Sequence, residues 1–114
     1  MTKDYKALAG EVDSRAVNLF KAAPDQMRAY RGLMEAATAA GALDPKTKEL
    51  MAVAIAIAIH CEGCIVYHVR AAHKHGASRE EVAETIGVAI EMGGGPAAVY
   101  GGEALAAFDQ FAQG

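Results

Sequence analysis

The sequence predicts an all-α fold, a bundle of about six helices with short connections, in one domain spanning residues 1–114. Three observations carry this. Alanine dominates an apolar set that makes up 53 % of the chain, with no Trp and three Phe, which favours helices packed closely together. Prolines, caps and glycines punctuate the chain at helical spacing. Only one stretch, Val53-Ala54-Ile55-Ala56-Ile57-Ala58-Ile59, alternates large and small residues as a buried strand does.

The elements follow in order. A first helix is expected over residues 4–22. Pro24 suits the first position of a second helix, whose Met27, Tyr30, Met34 and Ala37 form a stripe at helical spacing and which Gly41 stops. Asp44-Pro45 reads as an N-cap and first-position proline, opening a third helix to about His60. That start, the alanine content and the length favour helix over strand for Val53–Ile59. From Leu50 to Ile59 this helix is apolar on every side, which predicts burial all round, in part by another subunit. A fourth helix is expected to begin at or just before Cys64 and to end at Gly76. Ser78-Arg79-Glu80-Glu81 is a capping box for a fifth, with Val82, Ile86, Ala89 and Ile90 on its apolar face. Gly93-Gly94-Gly95 breaks it, and Pro96 opens a last helix ending near Phe111. Gly101 and Gly102 inside that helix imply a kink or a close helix contact.

Composition narrows the function classes. A monomer of 114 residues buries about two-thirds of its unfolded-chain surface, enough for a real core. The net charge is −3, and no basic run is interleaved with aromatics, so nucleic acid is not an expected partner. The segment Met1-Thr2-Lys3-Asp4-Tyr5-Lys6 is polar, and the ten-residue run Leu50–Ile59 is too short to span a bilayer. No membrane association and a cytoplasmic location are therefore expected, where a C-x-x-C is redox-active or metal-binding more often than structural.

Both cysteines lie in one such motif, His60-Cys61-Glu62-Gly63-Cys64-Ile65-Val66-Tyr67-His68. In a helix, Cys64 and His68 share a face one turn apart, and the imidazole leans back toward the sulfur. A thiol beside a base is the minimum for redox or nucleophilic sulfur chemistry. An unperturbed thiol is only about 3 % ionised at pH 7. Lowering its pKa by about two units needs roughly 2.7 kcal/mol. The amino end of the fourth helix and His68 are the two visible sources, and Glu62 opposes them. Cys64 is favoured as the reactive thiol, with Cys61 open as the attacker.

Rival readings stand beside this one. The pair could be half of a zinc site completed by His60, His68, His73 or His75, or two merely buried thiols. His73 and His75 read as solvated residues near a helix end, His60 as the end of the third helix, and Met27, Met34, Met51 and Met92 as core filler. The glycines at 93–95 lack the flanking residues of a phosphate loop.

The run from Lys48-Glu49-Leu50 through Cys61-Glu62-Gly63-Cys64 and His68 to Gly76-Ala77-Ser78, with the later Met92-Gly93-Gly94-Gly95-Pro96-Ala97, resembles the AhpD-like, carboxymuconolactone decarboxylase superfamily. The resemblance covers roughly residues 27–112. A glutamate twelve positions before a C-x-x-C, with a histidine four positions after it, is the pattern of the alkylhydroperoxidase branch. It implies an all-helical fold that forms homo-oligomers, often trimers or hexamers. It also implies a dithiol that reduces a peroxide substrate or passes electrons to a peroxide-reducing partner such as a peroxiredoxin, and that is restored by an external dithiol or reductase. Cys61 and Cys64 would be the redox pair, His68 part of a proton relay, and Glu49 the carboxylate that completes it. No cofactor and no resident metal are implied. The chain departs from that branch in being shorter and in carrying Glu62-Gly63 where the branch has a histidine.

From the residues alone Glu49 is the hardest member to place. It lies roughly 16 Å of helix from His60, whereas His68 lies only about 6 Å beyond Cys64. A tight antiparallel hairpin leaves the two offset, and a crossed packing or a bridging water is needed to join them. The competing enzymatic reading is a decarboxylase or isomerase of a small carboxylic acid, with His68 and Glu49 as acid and base. A metal-binding or assembly protein is the third.

Overall fold

The structure is a computed structural model that describes residues 3–114; the reading of Met1 and Thr2 as part of a polar start lies outside the described residues. It contains α1 (Tyr5–Ala22), α2 (Pro24–Thr38), α3 (Pro45–Ala58), α4 (Glu62–Lys74), α5 (Arg79–Gly93) and α6 (Gly95–Ala112), and no strand among the described residues. The alternating run Val53–Ile59 is helical up to Ala58 and turns at Ile59.

Side-chain caps set the boundaries: those at Asp44 and Ser78 are legible in the sequence, whereas Asp4, expected inside the first helix, is its N-cap. Asp4 accepts a hydrogen bond from the Ala7 N–H, and Asp44 accepts one from the Thr47 N–H. Ser78 and Glu81 form the complete reciprocal box. Each satisfies an N–H that the first helical turn leaves without a partner. α2 ends at Thr38, before Gly41, and the chain crosses to α3 through residues 39–44, where the Lys48 ammonium donates to the Ala39 carbonyl at 2.7 Å.

Helices α3 to α6 form the packed body, with α3 against α4 and α5, and α6 against α4 and α5. Val53, Ile57, Ile65, Val66, Val69 and Val82 are its fully enclosed large side chains. Small residues of α6, Ala97, Ala104 and Ala107, let the helices approach closely. Gly101 identifies the reason for one interior glycine: a Cβ there would lie 2.5 Å from Ile86 Cγ2 of α5, so the close contact, not a kink, requires it. α1 lies across α4 and α6, anchored by Tyr5 and Ala9. α2 touches α1 and the edge of α3 and buries no residue. The radius of gyration is 14.1 Å, against roughly 13 Å for a compact chain of this length, in keeping with an α2 that packs only on α1 and the edge of α3.

Several core expectations are corrected. Met51 and Met92 are not core filler but 49 % and 77 % exposed, and Met27 and Met34 are half-buried along a cleft. Ile90 is exposed beside the buried Val82, Ile86 and Ala89. Within the single chain α3 is covered on part of its surface, and Met51, Ile55 and Ile59, spaced by four, leave an apolar stripe 49–65 % exposed, the face for which the sequence predicts cover by another subunit. Hydrophobicity along one helix reports its preference for burial, not which side its own chain covers.

Candidate active site

The site begins where α3 ends. His60 adopts a φ of +60°, and the Cys61 N–H donates to the Ala56 carbonyl at 3.0 Å, closing the carboxyl end of the helix. Gly76, with φ +89°, does the same after α4. A histidine in this left-handed conformation costs about 1–2 kcal/mol relative to a right-handed one. Its ring stacks on Tyr100 at 4.9 Å, with 2° between planes. His60 therefore ends α3, as the sequence suggests, and the turn it makes delivers Cys61 to the start of the next helix.

α4 starts at Glu62, two residues ahead of Cys64, with Cys61 as its N-cap. The Cys61 sulfur accepts the Cys64 N–H at 3.2 Å, taking the place a serine or aspartate oxygen usually fills. A negative charge on that sulfur would sit at the positive end of the helix. Cys61 and Cys64 are joined as a disulfide with a Cα–Cα separation of 5.2 Å. Both are half-buried and line a cleft, so they are not merely core thiols. Among the described residues no group of three or more His, Cys, Asp or Glu side chains could hold a metal ion, so the zinc half-site lacks further ligands here.

His68 lines the same cleft, one turn along α4. Its Nδ1 lies 2.7 Å from Oε1 of Glu49, which is 6 % exposed on the second turn of α3. The offset expected of a tight hairpin is thus closed by a direct hydrogen bond. An ionised Glu49 fixes Nδ1–H as the donor and leaves Nε2 as the available base. The Tyr67 ring meets His68 edge-on at 5.0 Å, and the Arg70 guanidinium lies over Tyr67. Arg70 is held by two hydrogen bonds to Asp13 of α1, at 2.8 and 2.9 Å. His73 and His75 lie outside this arrangement: His75 is exposed, and His73 packs edge-on against Phe108.

Glu62, expected to oppose thiolate formation, is neutralised. The Lys3 ammonium pairs with it and also donates to Glu103 at 3.3 Å. Lys3 holds the Glu62 carboxyl below its ordinary range. Glu103 also accepts the Tyr5 hydroxyl at 3.1 Å, and the Lys3 carbonyl accepts from the Gln110 side chain. Sequence reasoning missed Lys3, since 59 positions separate it from Glu62 and no local pattern joins them.

It also missed the cleft. About 900 Å³ opens between α1, α2 and the start of α4, walled by Val12, Phe20, Met27, Tyr30 and Met34, with the disulfide and His68 on its inner side. The stripe Met27–Tyr30–Met34 was the one available signal, and it points into this space instead of a core.

Comparison with known proteins places the chain in a family. Residues 24–110 match the carboxymuconolactone decarboxylase family. The chain is 44 % identical over 109 residues to an uncharacterised protein of Cupriavidus necator, covering 96 % of both. It is 43 % identical over 82 residues to an uncharacterised protein of the cox locus in Paracoccus denitrificans, covering 72 % of this chain and 74 % of that one. Among solved structures it resembles a carboxymuconolactone decarboxylase family protein of Legionella pneumophila in its apo form, with a TM-score of 0.91, 43 % identity, and 94 % of this chain and 96 % of that chain covered. A Thermotoga maritima family protein, described with a suggested part in the antioxidative response, aligns with a TM-score of 0.74 at 25 % identity, covering 87 % and 91 %.

Proposed function

The chain belongs to the carboxymuconolactone decarboxylase family, and on that premise we propose that it is a dithiol oxidoreductase of the alkylhydroperoxidase type, reducing peroxides through a Cys61–Cys64 disulfide. The observation that carries the reading is that His68, hydrogen-bonded from behind by the buried Glu49, lines the same cleft as two cysteines close enough to bond.

His68, oriented by Glu49, takes the proton of the Cys64 thiol, which lies one turn away on its own helix. The Cys64 thiolate attacks the terminal oxygen of ROOH. The O–O bond breaks, ROH leaves with a proton returned through His68, and Cys64 becomes a sulfenic acid. Cys61 then attacks that sulfur, the S–S bond forms, and the hydroxyl leaves as water with the Cys61 proton. The sulfurs have lost two electrons and the peroxide has gained them. An external dithiol or reductase returns two electrons and two protons by exchange, and a thiolate on Cys61 leaves readily from the amino end of α4.

Glu49, His68, Cys61 and Cys64 are the residues assigned to the reaction. The family resemblance and the exposed stripe Met51–Ile55–Ile59 support assembly as a homo-oligomer, often a trimer or hexamer in such proteins. Among the described residues no helix is long and apolar enough to cross a membrane; the proposed location is the cytoplasm, where a C-x-x-C is redox-active more often than structural. The family also supports a decarboxylase-like reaction on a small carboxylic acid, with the same His68–Glu49 pair as acid and base and no thiol chemistry.

The test is dithiothreitol-supported consumption of hydrogen peroxide by wild-type protein and the C61S/C64S variant. Turnover lost in the variant supports the reading. No turnover by wild type, with turnover of a lactone acid retained in the variant, rejects it in favour of the decarboxylase.

A further inference from the structure

The cleft beside the disulfide is far larger than hydrogen peroxide requires. At about 900 Å³ it falls among sites that hold drug-sized ligands. Its outer walls come from α1 and α2, and its inner wall from α4 and the disulfide. α2 buries no residue, and its apolar stripe of Met27, Tyr30 and Met34 lines this space together with Val12 and Phe20 of α1.

The charges around it are one-sided. Lys21, Arg31, Arg70 and Asp13 line the cleft. Arg70 and Asp13 satisfy each other through two hydrogen bonds. Arg31 has only Glu35, at 3.9 Å on the exposed face of its own helix, a contact too long and too wet to neutralise it. Lys21 has no ion-pair partner among the described residues. A chain of net charge −3 therefore presents two uncompensated cations at an apolar cleft that leads to its sulfurs.

We propose that this cleft binds an amphiphilic carboxylate carrying a hydroperoxide, its apolar chain along α1 and α2, its carboxylate at Lys21 and Arg31, and its peroxide group at Cys64. Resting on the peroxidase reading above, the proposal names the substrate class of that site. Apolar walls supply affinity in proportion to chain length, and the two cations select an acid over its neutral ester. The reaction reduces ROOH to ROH at the expense of the dithiol, and an external dithiol supplies the electrons. The alcohol product keeps its carboxylate, so it competes with fresh substrate.

The test separates binding from turnover. Calorimetric titration of the oxidised full chain with laurate and with its methyl ester, below their micellar concentrations, measures the site without chemistry. The acid is expected to bind at least tenfold more tightly than the ester, and the K21E/R31E variant, altered at two exposed positions, is expected to lose that preference. Equal binding of acid and ester by wild type overturns the proposal, as does binding of neither, whether the cleft stays empty or a second copy fills it. A preference surviving in K21E/R31E also overturns it. Turnover of linoleic acid hydroperoxide against cumene hydroperoxide is the second arm, with a higher kcat/KM expected for the acid. Equal rates on the two reject this substrate class and leave the peroxidase reading standing. Tight laurate binding with no turnover of any peroxide rejects the peroxidase reading and leaves an anionic amphiphile site.

Discussion

The imidazole Nδ1 of His68 lies 2.7 Å from the Glu49 carboxylate, bridging α4 and α3 across 19 positions of sequence. The contact sits behind the cleft wall, with Glu49 buried and His68 half-buried. A carboxylate there cannot reach the peroxide itself. It can fix which ring nitrogen carries the proton and where the other one points.

Glu49→Gln should lower kcat for peroxide reduction about 10–100-fold, the size of effect expected for losing a partner that orients a functional histidine rather than the acid–base group itself. KM should change little, because Glu49 does not line the cleft. The ¹⁵N spectrum of His68 provides a readout that a structural role would leave unmoved: a proton fixed on Nδ1 in wild type and a tautomer mixture in the variant. An unchanged spectrum with lowered activity would remove Glu49 from the relay.

Lys3→Met should expose Cys61 to an unneutralised Glu62. The expected result is a higher alkylation midpoint for the Cys61 thiol in the reduced protein, measured in a C64S background, and slower reduction of the disulfide by dithiothreitol. Replacing Glu62 with Gln in the same chain should restore both, because the charge that Lys3 compensates is then gone.

Acid should destabilise the fold. Asp13, Glu62, Glu81 and Asp109 are each held below their ordinary pKa by a cationic partner, respectively Arg70, Lys3, Lys46 and Arg79. A carboxylate lowered in the folded state stabilises fully above its unfolded pKa, and that stability is lost as pH falls through the folded value. Lys3 and Lys46 are raised by the same pairs, so their share is complete below their ordinary value of 10.5. Urea midpoints should therefore be flat between about pH 6 and 9 and fall below about pH 4.5. A midpoint that rises on acidification would contradict these pairings.

Two adjacent glycines of α6 should respond with opposite signs. Gly101→Ala drives a methyl group into Ile86 and should destabilise by about 1–3 kcal/mol, several degrees in Tm. Gly102→Ala meets nothing within 4 Å and should stabilise by up to about 1 kcal/mol, through helix propensity and a less flexible unfolded chain. Thermal unfolding of the two single variants checks both.

Ile55→Asp should lower the molar mass measured by light scattering to that of a monomer, 11.9 kDa, while leaving the helical circular dichroism spectrum intact. The residue is 58 % exposed in the centre of the α3 stripe and supports no part of this chain's own core. A wild-type protein already monomeric at micromolar concentration would show that the stripe is not an interface between copies.

Much of this was legible in the sequence because it is local. The caps at Asp44 and Ser78, the prolines at 24 and 45 and the breaks at Gly76 and Gly94 act within a turn or two, and they place the helix ends. The approach of Cys64 and His68 to one wall follows from helical spacing alone. What depends on packing was not legible. The register of α3 against α4 decides whether Glu49 reaches His68. The Lys3–Glu62 pair joins the first described residue to the middle of the chain. The apolar stripes at Met51–Ile55–Ile59 and Met27–Tyr30–Met34 could not reveal that one lies open to solvent and the other walls a cleft.

The central claim is that Cys61 and Cys64 act as one two-electron unit toward peroxide. Its most direct test is a count of free thiols in the reduced chain before and after one equivalent of peroxide, with the intact mass read at both points. The account predicts a fall from two thiols to none, a loss of about 2 Da, and reversal by dithiothreitol. Two thiols still free after the pulse, with the mass unchanged, would contradict it.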